Sequence, residues 1–464
     1  MSSGVAWDLE VFDLNGQSLA IVAEAYERSI TFEHNGIDQL EFSLYLDDPV
    51  AGFVVPIKSV VKVWRRVRGL PDPVRSEPFF CGVVGPRRRG AREGTVTYTA
   101  FSPLWRLQHR YHIDKHVFGW WNANSLPVDL GFSDVGGPPI AWDGAWYTNP
   151  DDRYSYSTGW NPSWVMWAMI HFTNELVPGT GADRTGIIRG AMEEYLEEPL
   201  IQRPWIIKRY GRGQNTWTLV DEIVNQMQVV DLAPRYTHVD GLQRMMYFDT
   251  VWPRGVQNDD VVLGYGTAPW NCADVTDQEI VEPGTFATHV TAQGQGERDT
   301  DRQIAKADGS SYYNEITGDL IEVPDYLDEY GLYMRWDRYE NETSGRNLRS
   351  FAAETLLHNA LPVHVVEPTV EHPFNDENDA VPVRPVYGSD YGMGDGIRVR
   401  CDRDTMRFGM EYDEWKRVLG AKLTMSDGNL ETTTLTLVDD AKKLVTPDVP
   451  EFYGGGTTPG GVGL

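Results

Sequence analysis

The chain is predicted to be α+β and multidomain, with two small β-barrel or sandwich domains flanking a mixed α/β middle region. Three observations lead there. Period-two apolar alternation fills the first hundred residues, and strand-like patterning returns between Val386 and Val438. Apolar residues at helical spacing appear only in the interior. Gly (45) and Pro (28) together make about one residue in six of the 464, which favours short strands and turns over long helices.

The elements follow in order. Leu9–Leu14 and Ser18–Val22 flank Asn15-Gly16, a hairpin signal because both residues tolerate positive φ. A second Asn-Gly stands at Asn35-Gly36. Beyond it Leu40, Phe42, Leu44 and Leu46 alternate with Glu41, Ser43 and Tyr45, so one face is buried. Strands are predicted at Ser59–Val67, Phe79–Val84 and Thr95–Phe101, with Arg87-Arg88-Arg89 in an exposed loop. An aromatic-rich stretch over 118–170 holds seven tryptophans, from Trp120 to Trp167. A helix starts near Asn161 with Pro162 in its first turn, where the missing N–H costs nothing. A second runs from Thr216 to about Gln228, with Leu219, Ile223 and Met227 on one stripe. Strands follow at Arg244–Phe248 and His289–Gln293. A third helix spans Asn347–Ala360, with Leu348, Phe351, Ala352, Thr355 and Leu356 inward, and Pro362 stops it. Residues 367–385, Pro-rich and acidic, read as a linker. Asp427-Gly428 separates the strands Leu419–Met425 and Leu430–Val438. The expected divisions are 1–105 (β-barrel-like), 106–205 (Trp-rich insertion or second domain), 206–366 (mixed α/β), 367–445 (C-terminal β) and 446–464 (a flexible Gly/Pro-rich tail).

Charge narrows the function classes. The net charge is −27, from 41 basic and 68 acidic residues. That balance opposes broad binding to phosphate backbones, which needs Lys and Arg to displace counterions. It equally opposes a polybasic membrane anchor. The densest apolar run, Trp164–Phe172, is half the roughly 18–20 residues that span a bilayer. The start, MSSGVAWDLE, carries no secretory pattern. Cys81, Cys272 and Cys401 are far apart and lack C-x-x-C spacing, so they read as buried thiols of a reducing compartment. Against the overall charge, Lys58–Lys115 holds thirteen Lys/Arg and four Asp/Glu. It reads either as a docking patch for an acidic neighbouring subunit or as solvated strand faces.

Several groups could carry chemistry. His109, His112 and His116 would share a helix face and could ligate Zn²⁺, but H-E-x-x-H is absent and Arg110 and Lys115 would repel a cation. Glu193, Glu194, Glu197 and Glu198 could pair as acid and base, though such a run is more often a solvated helix face. Asp143, Asp151 and Asp152 lie among tryptophans, as in sugar-cleaving clefts, yet tryptophan is more often core or interface. Gly179–Gly186 lacks the Gly-Lys-Ser/Thr ending of a P-loop. Gly264-Tyr265-Gly266 and Gly294-Gln295-Gly296 do not extend into G-x-G-x-x-G, and no G-x-S-x-G occurs. Asn375–Asp379 lacks the Gly and distal Glu of an EF-hand loop. We therefore assign no catalytic, cofactor-binding or metal residue and no cofactor, and expect a protein that is not an enzyme.

Ser29–Phe32 (SITF), Asn35-Gly36 and Gln39–Pro49 (QLEFSLYLDDP) resemble the opening of the tail-tip hub proteins of long-tailed bacteriophages, also called minor tail or baseplate hub proteins. Val60–Arg68, Phe79–Val84 (FFCGVV) and Tyr98–Trp105 (YTAFSPLW) continue the resemblance. Thr216–Gln228 with Arg244–Phe248, Arg346–Pro362 and Tyr387–Val399 (YGSDYGMGDGIRV) follow in the family's order. The Trp-rich stretch 118–200 has no counterpart, and the absence of an appended lysin domain after residue 440 favours a structural member. The resemblance implies a ring of this chain with itself, usually a homotrimer, in which two barrels per chain give pseudo-sixfold symmetry. It implies partners in a distal tail protein, a tape-measure protein and tail fibre or tip proteins. It implies a place at the virion's tail tip, assembly in the host cytoplasm, and closure of the DNA channel until DNA ejection. An acidic lumen would let duplex slide. The alternatives are a cell-wall glycan hydrolase or carbohydrate-binding protein using the Trp-rich segment, and an unrelated multidomain protein of host metabolism.

Overall fold

The structure, a computed structural model, describes residues 5–90, 94–111, 116–118, 186–191, 208–210, 214–226, 230–239, 244–251, 254–280, 286–294, 331–339, 363–371, 385–401, 412–426 and 431–439, and parts of 163–170, 304–321 and 348–356. Among the described residues thirteen strands form one main sheet, numbered here in chain order. The first seven are β1 (Val5–Asp13), β2 (Ser18–Val22), β3 (Tyr26–Glu33), β4 (Gln39–Tyr45), β5 (Ser59–Val67), β6 (Phe80–Gly90) and β7 (Thr95–Phe101). The remainder are β8 (Gln257–Tyr265), β9 (Asp274–Ile280), β10 (Val363–Glu371), β11 (Gly396–Cys401), β12 (Tyr412–Met425) and β13 (Glu431–Asp439).

Local chemistry sets the hairpins. At the β1–β2 turn Gly16 takes φ +80, and the Asp13 carboxylate accepts from the N–H groups of Asn15 and Gln17, each at 2.8 Å. At the β3–β4 turn Asn35 takes φ +54, a conformation Asn tolerates better than most residues. Alternation then directs side chains. Val96, Tyr98 and Ala100 of β7 point inward, as do Leu435 and Leu437 of β13.

The strand order is β9-β10-β13-β12-β3-β4-β7-β6-β5-β1-β2, with β11 pairing β12 and β8. All these pairs are antiparallel except β8–β11. The seam that matters is β3 against β12, from Gly420 opposite Glu33 to Met425 opposite Arg28. The N- and C-terminal β modules are therefore not two separate closed barrels. Their facing edges satisfy each other's backbone groups, which removes the need for either module to close on itself. Among the described residues no sheet closes.

The chain is predominantly β rather than α+β. In place of a mixed α/β middle there are short ribbons and little helix among the described residues. Asp231–Leu232 pairs Thr250–Val251, and Met246–Phe248 lies between Arg235–Tyr236 and Ile187–Arg189. His289–Gln293 lies between Ile304–Ala307 and Met334–Arg338. The helix predicted from Thr216 is α-helical over Thr216–Asp221 and opens into a π turn over Glu222–Gln226. Asn215 caps it, its Oδ1 accepting from Thr218 N at 3.2 Å. The wider turn buries Val224 beside Leu219, Val220 and Ile223. Leu348, Ala352, Thr355 and Leu356 are helical and buried, as the late stripe required.

Two boundaries change. Arg87-Arg88-Arg89 lies within β6, where it pairs Tyr98, Thr97 and Val96 of β7, and is not a loop. The first five residues of the expected 367–385 linker complete β10, because β9 and β13 offer pairing on both sides.

Candidate functional site

The chemistry concentrates where the modules meet. Arg65 on β5 and Glu431 on β13 form a bidentate ion pair, with side chains 4% and 0% exposed. Arg65 Nε donates to Glu431 Oε2 at 2.9 Å, and its Nη1 donates to the Tyr387 carbonyl at 2.6 Å. Trp7 Nε1 donates to the same Glu431 oxygen at 2.7 Å. Residues from β1, β5, β13 and the Tyr387 turn are thus tied at one carboxylate.

A second node centres on buried Asp231. It accepts from Asn35 Nδ2 at 2.9 Å, from Arg254 N at 2.8 Å and from Arg417 Nη2 at 3.2 Å, and His34 Nε2 lies 3.0 Å away. Asn35 also donates to Val224 O and accepts from Leu232 N at 2.8 Å. The turn residue of the second hairpin therefore locks the first module to the helix and ribbon of the middle. Nearby, Asp38 accepts from Glu33 N at 3.1 Å and from the Tyr236 hydroxyl.

Two lysines are almost fully buried. Lys62 Nζ donates to Thr237 O at 3.1 Å and to His238 Nδ1 at 3.0 Å, with the Phe12 ring 5.3 Å away. Lys416 Nζ donates to His364 Nδ1 at 2.7 Å and to Asp439 at 2.5 Å, and lies 2.8 Å from Glu414. An ammonium only donates, so His364 accepts through Nδ1 and carries its hydrogen on Nε2, toward Asp277. His364, Glu414 and Asp439 offer donor atoms within 4.8 Å of one another, as a metal site would. The Lys416 ammonium already sits among them as an internal cation.

A cleft of about 850 Å³ opens at this junction, lined by Glu33, Asp38, Glu77, Phe79, Arg235 and Tyr387 among others. Burial pushes the Asp38 carboxyl up to about 6, against the hydrogen bond from Tyr236. A folded state that holds this proton up to pH 6 binds more protons than the unfolded chain between about pH 4 and 6. Asp38 therefore lowers stability as pH rises through that window, by about 3 kcal/mol once it is ionised. Asp38→Asn is expected to flatten this fall; denaturant midpoints of both proteins from pH 4 to 7 measure it, and parallel pH profiles would refute the assignment.

Part of the basic segment is answered within the chain. Lys62 and Arg65 are buried as described, Arg66 pairs with Asp8, and Arg75 pairs with Glu10 above the Trp64 ring. Burial pushes Arg106 down to about 10. Arg87, Arg88 and Arg89 stay exposed. His109 ends the 3₁₀ turn Pro103–His109 and packs edge-on against Trp105 at 4.7 Å, whereas His116 lies on the strand His116–Phe118. These two do not share a helix face. His112, Asp143, Asp151, Asp152, Asn375–Asp379 and the four glutamates at 193–198 lie outside the described residues. Trp167 is buried near Phe248, with ring centroids 6.4 Å apart. Cys81 and Cys401 are buried and Cys272 half-buried, all free; burial pushes Cys81 up to about 11 and Cys272 up to about 12.

No family model matches the chain, and no curated protein sequence does. Solved structures do. Prophage tail protein gp18 from Listeria monocytogenes EGD-e is similar over 96% of this chain and 99% of its own, at 11% identity and a TM-score of 0.48. A tail protein from Neisseria meningitidis MC58 is similar over 94% and 97%, at 11% identity and a TM-score of 0.47. The 43 kDa tail protein of prophage MuSo2 from Shewanella oneidensis is similar over 94% and 99%, at 11% identity and a TM-score of 0.48. The chain is similar to phage tail proteins.

Proposed function

We propose that the chain is a structural virion protein of a long-tailed phage and forms the hub ring at the tail tip. One observation carries this reading: β3 and β12 pair edge to edge, so a single chain presents two β modules side by side in a continuous sheet. The buried Arg65–Glu431 pair and the Asp231 node fix their relative placement. A unit built this way acts by transmitting geometry rather than by transforming a substrate. Three copies would set six modules around an axis, in keeping with the order of hub-like motifs along the sequence. The ring would join the distal tail protein and the tape-measure protein above to tip or fibre proteins below, and its acidic inner wall would pass DNA without holding it.

Mass photometry and negative-stain imaging of the full chain test the reading. The expected result is closed rings whose mass is a whole multiple of three times the 52.4 kDa chain mass. A monomer throughout the micromolar range would refute it.

A further inference from the structure

The sheet around His289–Gln293 has Ile304–Ala307 and Met334–Arg338 as its two outer strands among the described residues. Met334–Arg338 pairs in parallel with His289–Gln293 on one side and has no described strand on the other. Tyr333 O accepts from His289 N, and Tyr339 N donates to Gln293 O. In a parallel pair, alternate residues direct both backbone groups to the same neighbour. Odd-numbered residues therefore face His289–Gln293, and the N–H and C=O groups of Met334 and Trp336 point to the open edge. Leu332, Met334 and Trp336 are 63%, 63% and 57% exposed. Proteins normally blunt such an edge with charge, Pro or a bulge, because apolar edges template pairing. Here two of the charged residues on the strand, Arg335 and Asp337, pair with each other, and Leu332, Met334 and Trp336 stay exposed.

The sequence of this edge is complementary to itself. Two copies running antiparallel about Trp336 place Arg335 of each opposite Asp337 of the other. Residues 335 and 337 then occupy non-hydrogen-bonded positions, where facing side chains approach most closely. Trp336 meets Trp336 of the other copy at the hydrogen-bonded position its backbone direction requires. Within one chain Arg335 Nε already lies 2.9 and 3.0 Å from the Asp337 carboxylate oxygens, so both charged groups stand on one face at one height.

We propose that a second copy of this chain docks antiparallel on the edge strand Met334–Arg338, through a two-fold contact centred on Trp336. This contact does not rest on the hub-ring reading. It pairs copies two by two, whereas ring closure sets how many stand around an axis.

Charge reversal in the full chain tests it. Arg335→Asp leaves only carboxylates at the four facing positions, and Asp337→Arg leaves only guanidiniums. Each single variant is expected to weaken the two-fold association at least about tenfold in sedimentation velocity, because two attractive cross-strand pairs become repulsive. Mixing the two variants restores association, now between unlike chains. Hydrogen exchange at 334–338 slows with concentration in the parent and in the mixture, but in neither variant alone. Association unchanged in the single variants, or a mixture that stays apart, overturns the proposal. So does exchange at 334–338 that ignores concentration, the result expected if a different protein covers this edge. If the particle count merely halves from an even multiple in the variants, the ring survives; if dimers form without larger rings, the hub reading fails and this contact stands.

Discussion

Replacing Glu431 with alanine should lower folding stability by about 3–5 kcal/mol, because it leaves the Arg65 guanidinium buried without its counter-charge. Water does not reach it: its side chain is 4% exposed and Glu431 is fully enclosed. The Trp7 indole N–H loses its acceptor in the same step. The loss belongs to the unpaired charge more than to the pair. The double change Arg65→Met with Glu431→Leu is accordingly expected to recover most of it, since apolar replacements of similar volume carry no desolvation penalty. Equilibrium urea unfolding of the two variants and the parent measures the difference. A single variant within about 1 kcal/mol of the parent would show that the carboxylate is not buried as described.

That pair shows how far the sequence was legible. Glu431 shares parity with Leu435 and Leu437 along β13, so its inward direction was readable from alternation alone. Its partner was not, because 366 residues separate them and nothing local links the two. Arg65 was hidden for another reason. Residues 59–65 and 67 of β5 are all buried, so period-two reasoning distinguishes no inward face there. The basic count over Lys58–Lys115 was then open to both a docking-patch and a solvated-face reading; Lys62 and Arg65 answer groups inside the fold, whereas Arg75, Arg87, Arg88 and Arg89 are exposed. Short strands with turn residues were the best-read elements: Ser18–Val22, Ser59–Val67, Thr95–Phe101 and His289–Gln293 fall at the predicted bounds. The strand-rich start and end of the chain were readable from pattern. Their fusion through β3 and β12 was not, because edge pairing is written in backbone groups that every residue carries.

Asp231→Ala should cost a similar amount, about 3–5 kcal/mol, and should loosen more than one unit. The carboxylate lies in a two-residue strand with no periodic signal, and four groups converge on it. Two of them, the His34 imidazole and Asn35 Nδ2, come from the β3–β4 turn. Arg417 comes from β12, and the Arg254 N–H from the approach to β8. The Arg417 side chain is 6% exposed, and its hydrogen bond to the Arg254 carbonyl, at 2.7 Å, does not neutralise it. Removing Asp231 therefore leaves a buried cation beside the β3–β12 seam. Asp231→Asn keeps an oxygen acceptor but not the charge, so its cost should fall between those of alanine and the parent. Hydrogen exchange separates a local defect from a shared one: protection should drop together at 28–33 and 420–425, which pair across the seam. Loss confined to 231–232 would mean that the node does not couple the modules. Asp8→Ala is the control, since Arg66 and Asp8 pair with both side chains about half exposed and should change stability by no more than about 0.5 kcal/mol. The contrast between two carboxylates that each bind an arginine, one enclosed and one in solvent, isolates burial as the cause.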